Sequence, residues 1–162
     1  MQMKIRQVSL SALVATALVA AVSGVSVAES GDPLHGTWKL NVAKSKFNPG
    51  PAPKATTLKY EAAGEGLKVI VDAESDKGKA HWQYTANYDG KDYPVTGSPD
   101  SDSVSLKRID RVTTEATLKK GGKAMTTNTR VVSADGKTLT ITVKGTNAEG
   151  QAVNNVQVYE KQ

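Results

Sequence analysis

Apolar and polar residues alternate along short segments from Gly36 to the end of the chain, and glycine turns separate many of these segments. The alternation is most regular over residues 80–88, where alanine and aromatic side chains occupy every second position. Alternation with glycine turns is typical of an antiparallel β-meander. Roughly ten successive strands would leave two exposed sheet edges unless the sheet closes on itself. We therefore predict an all-β fold, a single antiparallel up-and-down β-barrel of about 8–10 strands.

The alternation stops between Asn41 and Thr56, where three prolines fall within residues 48–53. Proline lacks a backbone donor and cannot continue a regular ladder of hydrogen bonds. We predict that this segment is a crossover or a lid, with at most one turn of helix at residues 42–47.

Hairpin loops set the register of the early strands, because loop length decides which residues pair and paired side chains share a face. A four-residue loop at positions 75–78 pairs Val71 with Trp82 and Val69 with Tyr84. Both pairs keep apolar residues together, which supports this register.

For the late strands, a two-residue Gly121-Gly122 turn pairs Leu118 with Met125 and Val112 with Val131. Three-residue loops at 134–136 and 148–150 continue this inward row into the last two strands. The register then predicts that a set of polar groups faces the interior: Thr114, Thr127, Thr129, Asn155, Gln157 and the hydroxyl of Tyr159.

Polar groups inside a barrel suggest a cavity, because a solidly packed interior would make unpaired buried polar groups costly. The alternative is that these groups satisfy one another across strands or hold buried water. We predict a ligand-binding pocket in the barrel interior, formed by Trp82, Tyr84, Thr127, Thr129, Asn155, Gln157 and Tyr159, with Arg108 as the candidate for gripping a charged group.

The arginine prediction depends on a three-residue loop at 109–111, which turns Arg108 inward with Val104 and Leu106. The pairing of the late strands turns Arg130 outward. Arginine is the usual residue for binding a carboxylate. The alternative is that Arg108 caps a barrel end or forms an ion pair with nearby Asp110.

The first residues have the pattern of a secretory signal peptide. Lys4 and Arg6 precede an apolar run over residues 8–22 and small residues that end at Ala28. The apolar run is shorter than the roughly 20 residues of a membrane-spanning helix, the alternative reading. We predict a signal peptide at residues 1–28 and one β-barrel domain at 29–162. The signal peptide predicts a periplasmic or secreted protein. Because the chain has no cysteine for lipid attachment or disulfides, the mature protein should not be anchored to the membrane. We expect a monomer.

Composition excludes several other functions. The formal charge of +5 falls to +3 when Lys4 and Arg6 leave with the signal peptide, which is too mild a charge for a nucleic-acid-binding protein. The only histidines, His35 and His81, lack neighbours at metal-ligand spacing. We find no catalytic motif, so we predict that the protein is not an enzyme and needs neither a cofactor nor a metal.

Short motifs at the two ends of the barrel domain carry a resemblance. The opening segment Gly36-Thr37-Trp38-Lys39-Leu40 resembles the Gly-x-Trp first strand of lipocalins and fatty-acid-binding proteins, and Val158-Tyr159-Glu160-Lys161 resembles the last strand of the latter. Residues 89–95 and 154–156 are similar to small exported bacterial lipocalin-like proteins of the calycin group. The resemblance implies an up-and-down barrel in which Trp38 packs near a basic residue of the last strand, here Lys161.

Departures from that family change the expected ligand. Fatty-acid-binding proteins hold the ligand carboxylate with an Arg-x-Tyr pair on the last strand, and the matching positions here read Gln157-Val158-Tyr159. Their two-helix lid is replaced by the proline-rich segment. We therefore expect a small apolar or weakly polar ligand.

Two other functions stay open from the sequence. One is a structural or interaction module of the periplasm with a filled barrel. The other is an enzyme that uses Tyr159, Arg108 or a histidine on a substrate bound in the barrel, which fold analogy permits but does not support.

Overall fold

The computed structural model describes residues 31–162, so the predicted signal peptide lies outside the described residues. Ten antiparallel strands follow one another around a closed barrel, and β1 pairs with β10 to complete it. The strands are β1 (Gly36–Leu40), β2 (Ala55–Ala63), β3 (Gly66–Ser75), β4 (Gly78–Asn87), β5 (Asp92–Thr96), β6 (Ser103–Arg108), β7 (Thr113–Lys120), β8 (Lys123–Val132), β9 (Thr138–Thr146) and β10 (Ala152–Lys161). The prediction of a single up-and-down barrel is confirmed.

A short 3-10 helix at Val42–Lys44 is the helical element between β1 and β2. The segment after it pairs with β10: the backbone N–H of Lys46 donates to the Val156 carbonyl at 2.7 Å, and Asn154 donates to the Asn48 carbonyl at 2.7 Å. The proline-rich segment is thereby attached to the barrel wall. No helix within residues 31–162 has the length and hydropathy of a membrane span.

The early strands have the predicted register. Val71 pairs with Trp82 and Val69 with Tyr84 across the β3–β4 hairpin. The apolar members of these rows are buried in the core, where Val69 and Tyr84 are 1% and 3% exposed. Alternation and loop length were sufficient here because the ladder is regular.

The β7–β8 hairpin departs from the predicted register. Lys119 pairs with Ala124 and Leu118 with Thr126, so Met125 is an extra residue without a partner. This is a β-bulge, and the predicted pair of Leu118 with Met125 is wrong. Because side chains alternate along a strand, one extra residue turns every later side chain of β8 to the other face.

The bulge reverses three predictions on β8. Arg130, predicted to face outward, lies inside, while Thr127 and Thr129, predicted to face inward, lie on the outside of the barrel. Gly145 on β9 accommodates the bulge: a Cβ atom there would lie 2.0 Å from the Met125 carbonyl oxygen, and its φ is +147°. Only glycine tolerates both the close approach and that φ.

The β8–β9 hairpin also departs from the prediction, because Val132 and not Val131 pairs with Leu139, so the predicted three-residue loop at 134–136 is wrong. This second shift of one residue offsets the bulge for the strands that follow. Ile141 and Val143 face inward as predicted, and Tyr159 lies opposite Leu139 with 3% exposure. The inward faces predicted for β9 and β10 are therefore confirmed, and the pairing of Ala152 with Thr146 agrees with the predicted loop at 148–150.

Trp38 plugs one end of the barrel, which we call the closed end. It is fully buried, and its indole Nε1 donates to the Leu34 carbonyl at 2.8 Å. The ammonium of Lys161 lies 5.0 Å from the centroid of the Trp38 ring. The contact between Trp38 and a basic residue of the last strand, which the family resemblance implied, is confirmed.

Arg108 also belongs to the closed end. It forms an ion pair with Asp32, and its guanidinium lies 4.3 Å from the centroid of the Tyr88 ring. The prediction that Arg108 faces a ligand pocket is wrong, and capping of a barrel end, the alternative, describes its position. Its acidic partner is Asp32 and not Asp110, whose carboxylate instead accepts from backbone N–H groups of its own loop.

Candidate functional site

A cavity of about 400 Å³ occupies the barrel interior and reaches the end opposite Trp38. This volume is within the range of small-molecule sites. Much of the wall is apolar and comes from strands on all sides of the barrel, including Leu58, Val69, Val71, Leu118, Ile141 and Val143. Loops that carry Pro53, residues 98–101 and Asn147 surround the open end, which we call the mouth.

Arg130 lies at the deep end of the cavity, together with Tyr60 and Tyr159; we call these three residues the floor. Arg130 is 3% exposed. Its Nη2 donates to the hydroxyl of Tyr84 at 2.7 Å, and its guanidinium carbon lies 5.4 Å from the centroid of the Tyr60 ring. Its Nε and Nη1 atoms are buried without a hydrogen-bond partner.

No carboxylate neutralises this arginine in the part of the chain that the structure describes, since each ion pair there involves another cation. The nearby phenols cannot replace one. Burial raises the pKa of Tyr60 to about 12 and also raises the pKa of Tyr159. Arginine stays protonated in proteins, so at neutral pH the floor holds one positive charge beside neutral phenols.

An unneutralised buried charge costs several kcal/mol even after the protein relaxes around it. The hydrogen bond that Arg130 donates to Tyr84 and the face of the Tyr60 ring offset part of that cost. The remaining donors of Arg130 are suited to an acidic group that enters from the cavity, because a guanidinium binds a carboxylate through charge-assisted hydrogen bonds.

A second row of side chains lies one step closer to the mouth: Trp82, Asn128 and Gln157, which we call the middle row. The Oε1 atom of Gln157 accepts from the Tyr159 hydroxyl at 2.9 Å. The Oδ1 atom of Asn128 is buried without a partner. Trp82 stacks on Tyr84 with ring centroids 6.1 Å apart.

The structure brings together some of the predicted pocket residues and separates others. Trp82, Gln157 and Tyr159 line the cavity, and Tyr84 lies behind Arg130 as its hydrogen-bond partner. Asn155 occupies the inward row, but its side chain accepts from the backbone N–H of Asn48 at 2.7 Å. Its amide thereby holds the proline-rich segment against the barrel wall.

Three predicted pocket residues lie elsewhere: Thr127 and Thr129 outside, and Arg108 at the closed end. The sequence reasoning missed Arg130 and Asn128, because the bulge reverses β8. One sequence signal was available, since Gly145 lies inside a strand and such glycines are typical of a bulge or of close backbone contact.

Neither histidine belongs to this site. His81 lies on the outer surface, where Nδ1 is 2.7 Å from a carboxylate oxygen of Asp72. His35 lies near the closed end, 3.9 Å from Asp32. Residues 31–162 contain no cluster of three His, Cys, Asp or Glu side chains that could hold a metal ion.

Solved structures with a similar barrel are known. A fatty acid binding protein of Schistosoma mansoni in complex with arachidonic acid superimposes with a TM-score of 0.53 and 13% identity, over 80% of this chain and 96% of that one. The zebrafish ileal bile acid-binding protein complexed with cholic acid gives a TM-score of 0.49 and 12% identity, over 80% and 99% of the two chains.

Comparison with family profiles and with curated proteins finds no match. At such low identity the structural likeness concerns the backbone alone. The ten-stranded closed barrel and the superposition together establish that the chain has the calycin fold of the fatty-acid-binding proteins.

Proposed function

We propose that this protein binds a small amphipathic anion inside the barrel, with the acidic group on Arg130 and the apolar part along the wall towards the mouth. The observation that carries the proposal is the buried guanidinium at the floor of an open cavity, with two donor atoms unpartnered. A ligand anion supplies the charge that the described residues lack.

The proposal changes the ligand expected from the sequence. Gln157 replaces the arginine that fatty-acid-binding proteins carry on the last strand, and that loss favoured a neutral ligand. Arg130 on β8 provides a cation in the same interior, next to Tyr159 of the last strand. The ligand complex of the similar Schistosoma mansoni protein, whose arachidonic acid is an apolar molecule with one acidic group, is consistent with this proposal.

We further propose that the protein is a carrier or a binding protein and not an enzyme, and that it acts in the periplasm or outside the cell. The neutral phenols at the floor support the first point, because a phenol with a raised pKa is a poor base at neutral pH. The signal-peptide pattern of residues 1–28 supports the second. The open cavity argues against an interaction module with a filled barrel.

Isothermal titration calorimetry of the purified protein with dodecanoate and with dodecanol tests the proposal. We expect dodecanoate to bind and dodecanol, which has the same chain without the charge, to bind at least about tenfold more weakly. Arg130→Met should remove the preference for the acid. Lys144→Met is the matched control, because Lys144 is an exposed cation on the neighbouring strand.

Equal affinity for the two compounds, or a preference for dodecanoate that persists in Arg130→Met, would contradict the proposal. Thermal unfolding gives an independent measurement on the unmodified protein. Dodecanoate should raise the melting temperature and dodecanol should raise it less, because at equal concentration the tighter ligand stabilises the folded state more.

A further inference from the structure

Asn128 is the second buried polar group of the cavity without a partner, and it lies on the same inward row of β8 as Arg130. Its neighbours on the two adjacent strands are Ala116 on β7 and Val143 on β9. Neither side chain can form a hydrogen bond. The bulge thus places two polar groups, a guanidinium and an amide, side by side along a largely apolar wall.

The rest of the middle row does not satisfy this amide. The oxygen of Gln157 already accepts from Tyr159, and Trp82 has an indole N–H as its only polar group. Within the described residues, the Oδ1 atom of Asn128 has no donor. A buried carbonyl oxygen without a donor destabilises the ligand-free protein. A ligand that supplies a donor to this oxygen therefore binds more tightly than one that does not.

The Cα spacing of Asn128 and Arg130 along β8 sets the approximate length of such a ligand. Residues two positions apart on a strand have Cα atoms about 7 Å apart. Six carbon–carbon bonds of about 1.5 Å in a zigzag chain span roughly that distance. A polar group next to Asn128 therefore belongs near the middle of a chain whose acidic group rests on Arg130.

We infer that the ligand is a hydroxy acid: a monoanion with a hydroxyl about six bonds from its acidic group, held by Asn128 while Arg130 holds the charge. This inference rests on the proposed function, which supplies the acidic group. A hydroxyl both donates and accepts, so it satisfies the amide of Asn128 in either orientation of its oxygen and nitrogen. A plain acyl chain leaves that oxygen unpartnered.

Calorimetric titration with three acids of equal length tests the inference: dodecanoate, 7-hydroxydodecanoate and 12-hydroxydodecanoate. We expect the 7-hydroxy acid to bind about tenfold more tightly than dodecanoate, which is the effect of one hydrogen bond to a buried group. The 12-hydroxy acid carries its hydroxyl at the chain end, away from Asn128. It should bind no more tightly than dodecanoate.

Asn128→Leu should abolish the advantage of the 7-hydroxy acid, so that this acid and dodecanoate bind the variant equally, because leucine has a similar shape without polar atoms. Asn128→Ala provides a second variant if the leucine variant does not fold. Thr127→Val is the matched control: it removes a hydroxyl from the neighbouring position, which faces outward, and should keep the advantage.

The outcomes separate the two proposals. Suppose that dodecanoate binds through Arg130. If the 7-hydroxy acid then binds no more tightly than dodecanoate, or if the 12-hydroxy acid binds as tightly as the 7-hydroxy acid, the inference about Asn128 is overturned and the proposed function stands. An advantage that survives in both Asn128 variants overturns it as well. If none of the three acids binds, the proposed function fails and the inference fails with it.

Discussion

The closed end of the barrel contains a partly buried arginine, and the floor of the cavity contains a fully buried one. The two arginines differ in whether a carboxylate neutralises their charge. Arg108 at the closed end has a carboxylate partner, Asp32, and keeps 34% of its side chain exposed. Arg130 at the floor is 3% exposed and has no acidic partner among the described residues. The contrast separates an ion pair that supports the fold from an uncompensated buried charge that costs the barrel stability.

Replacing Arg130 by methionine should have the largest effect. We expect affinity for dodecanoate to fall about a thousandfold, since truncating one partner of a buried charge pair costs 2–5 kcal/mol or more. The ligand-free variant should be more stable than the unmodified protein by about 1–2 kcal/mol, because an uncompensated buried charge is removed. Urea unfolding with and without dodecanoate measures both effects. A variant that unfolds more easily and still binds the acid would remove the distinction between the two arginines.

Gly145→Ala tests how the bulge places Arg130. The added methyl group would lie 2.0 Å from the Met125 carbonyl oxygen, so the bulge or the neighbouring strand must shift. We expect a loss of about 3 kcal/mol in the free energy of unfolding and weaker binding of dodecanoate. Gly136→Ala is the control, because it also changes a glycine with positive φ but has open space around it. Its effect should be confined to stability, without a change in affinity.

The raised pKa of Tyr60 predicts a dependence on alkaline pH. Its folded value of about 12 lies above the ordinary value of 10, so the folded state holds this proton more tightly than the unfolded state. The contribution of the Tyr60 proton to the free energy of unfolding is therefore fully present below pH 10, and it is lost as the pH rises through about 12. A shift of two units corresponds to roughly 2–3 kcal/mol. Tyr60→Phe should flatten this part of the curve, which equilibrium unfolding between pH 9 and 12 would show.

Arg108→Met should have the smallest effect and the opposite pattern to Arg130→Met. Loss of the ion pair leaves the carboxylate of Asp32, which is 15% exposed, without its partner. We expect a loss of about 1 kcal/mol in stability, because solvent screens a partly exposed pair, and no change in affinity for dodecanoate. Differential scanning calorimetry and titration on the same preparation measure the two quantities. A drop in affinity would indicate that the closed end takes part in binding.

Much of the fold follows from local information. The register of β3 and β4 agrees with the prediction at Val71 and Trp82. Tight hairpins and strict alternation leave few ways to pair such strands without exposing apolar side chains. The inward rows of β9 and β10, including Gln157 and Tyr159, agree with the prediction because the shift in the β8–β9 hairpin offsets the bulge.

The candidate site was predicted only in part, and the errors on β8 have a single origin. Met125 adds one residue to β8, which exchanges Thr127 and Thr129 for Asn128 and Arg130 in the interior. Alternation cannot reveal the extra residue, because polar residues occupy both faces of this strand. The deciding contact is between Met125 and Gly145 of the next strand.

By itself, the sequence determined the all-β class, the order of the strands and the regular registers, because these depend on alternation and on turns of a few residues. Only the tertiary structure decided where the two arginines lie. Asp32 and Arg108 are 76 positions apart, and Arg130 owes its inward position to a backbone contact between two strands. Charge pairing and bulge placement depend on residues that the chain brings together only when the barrel closes, so no local pattern encodes them.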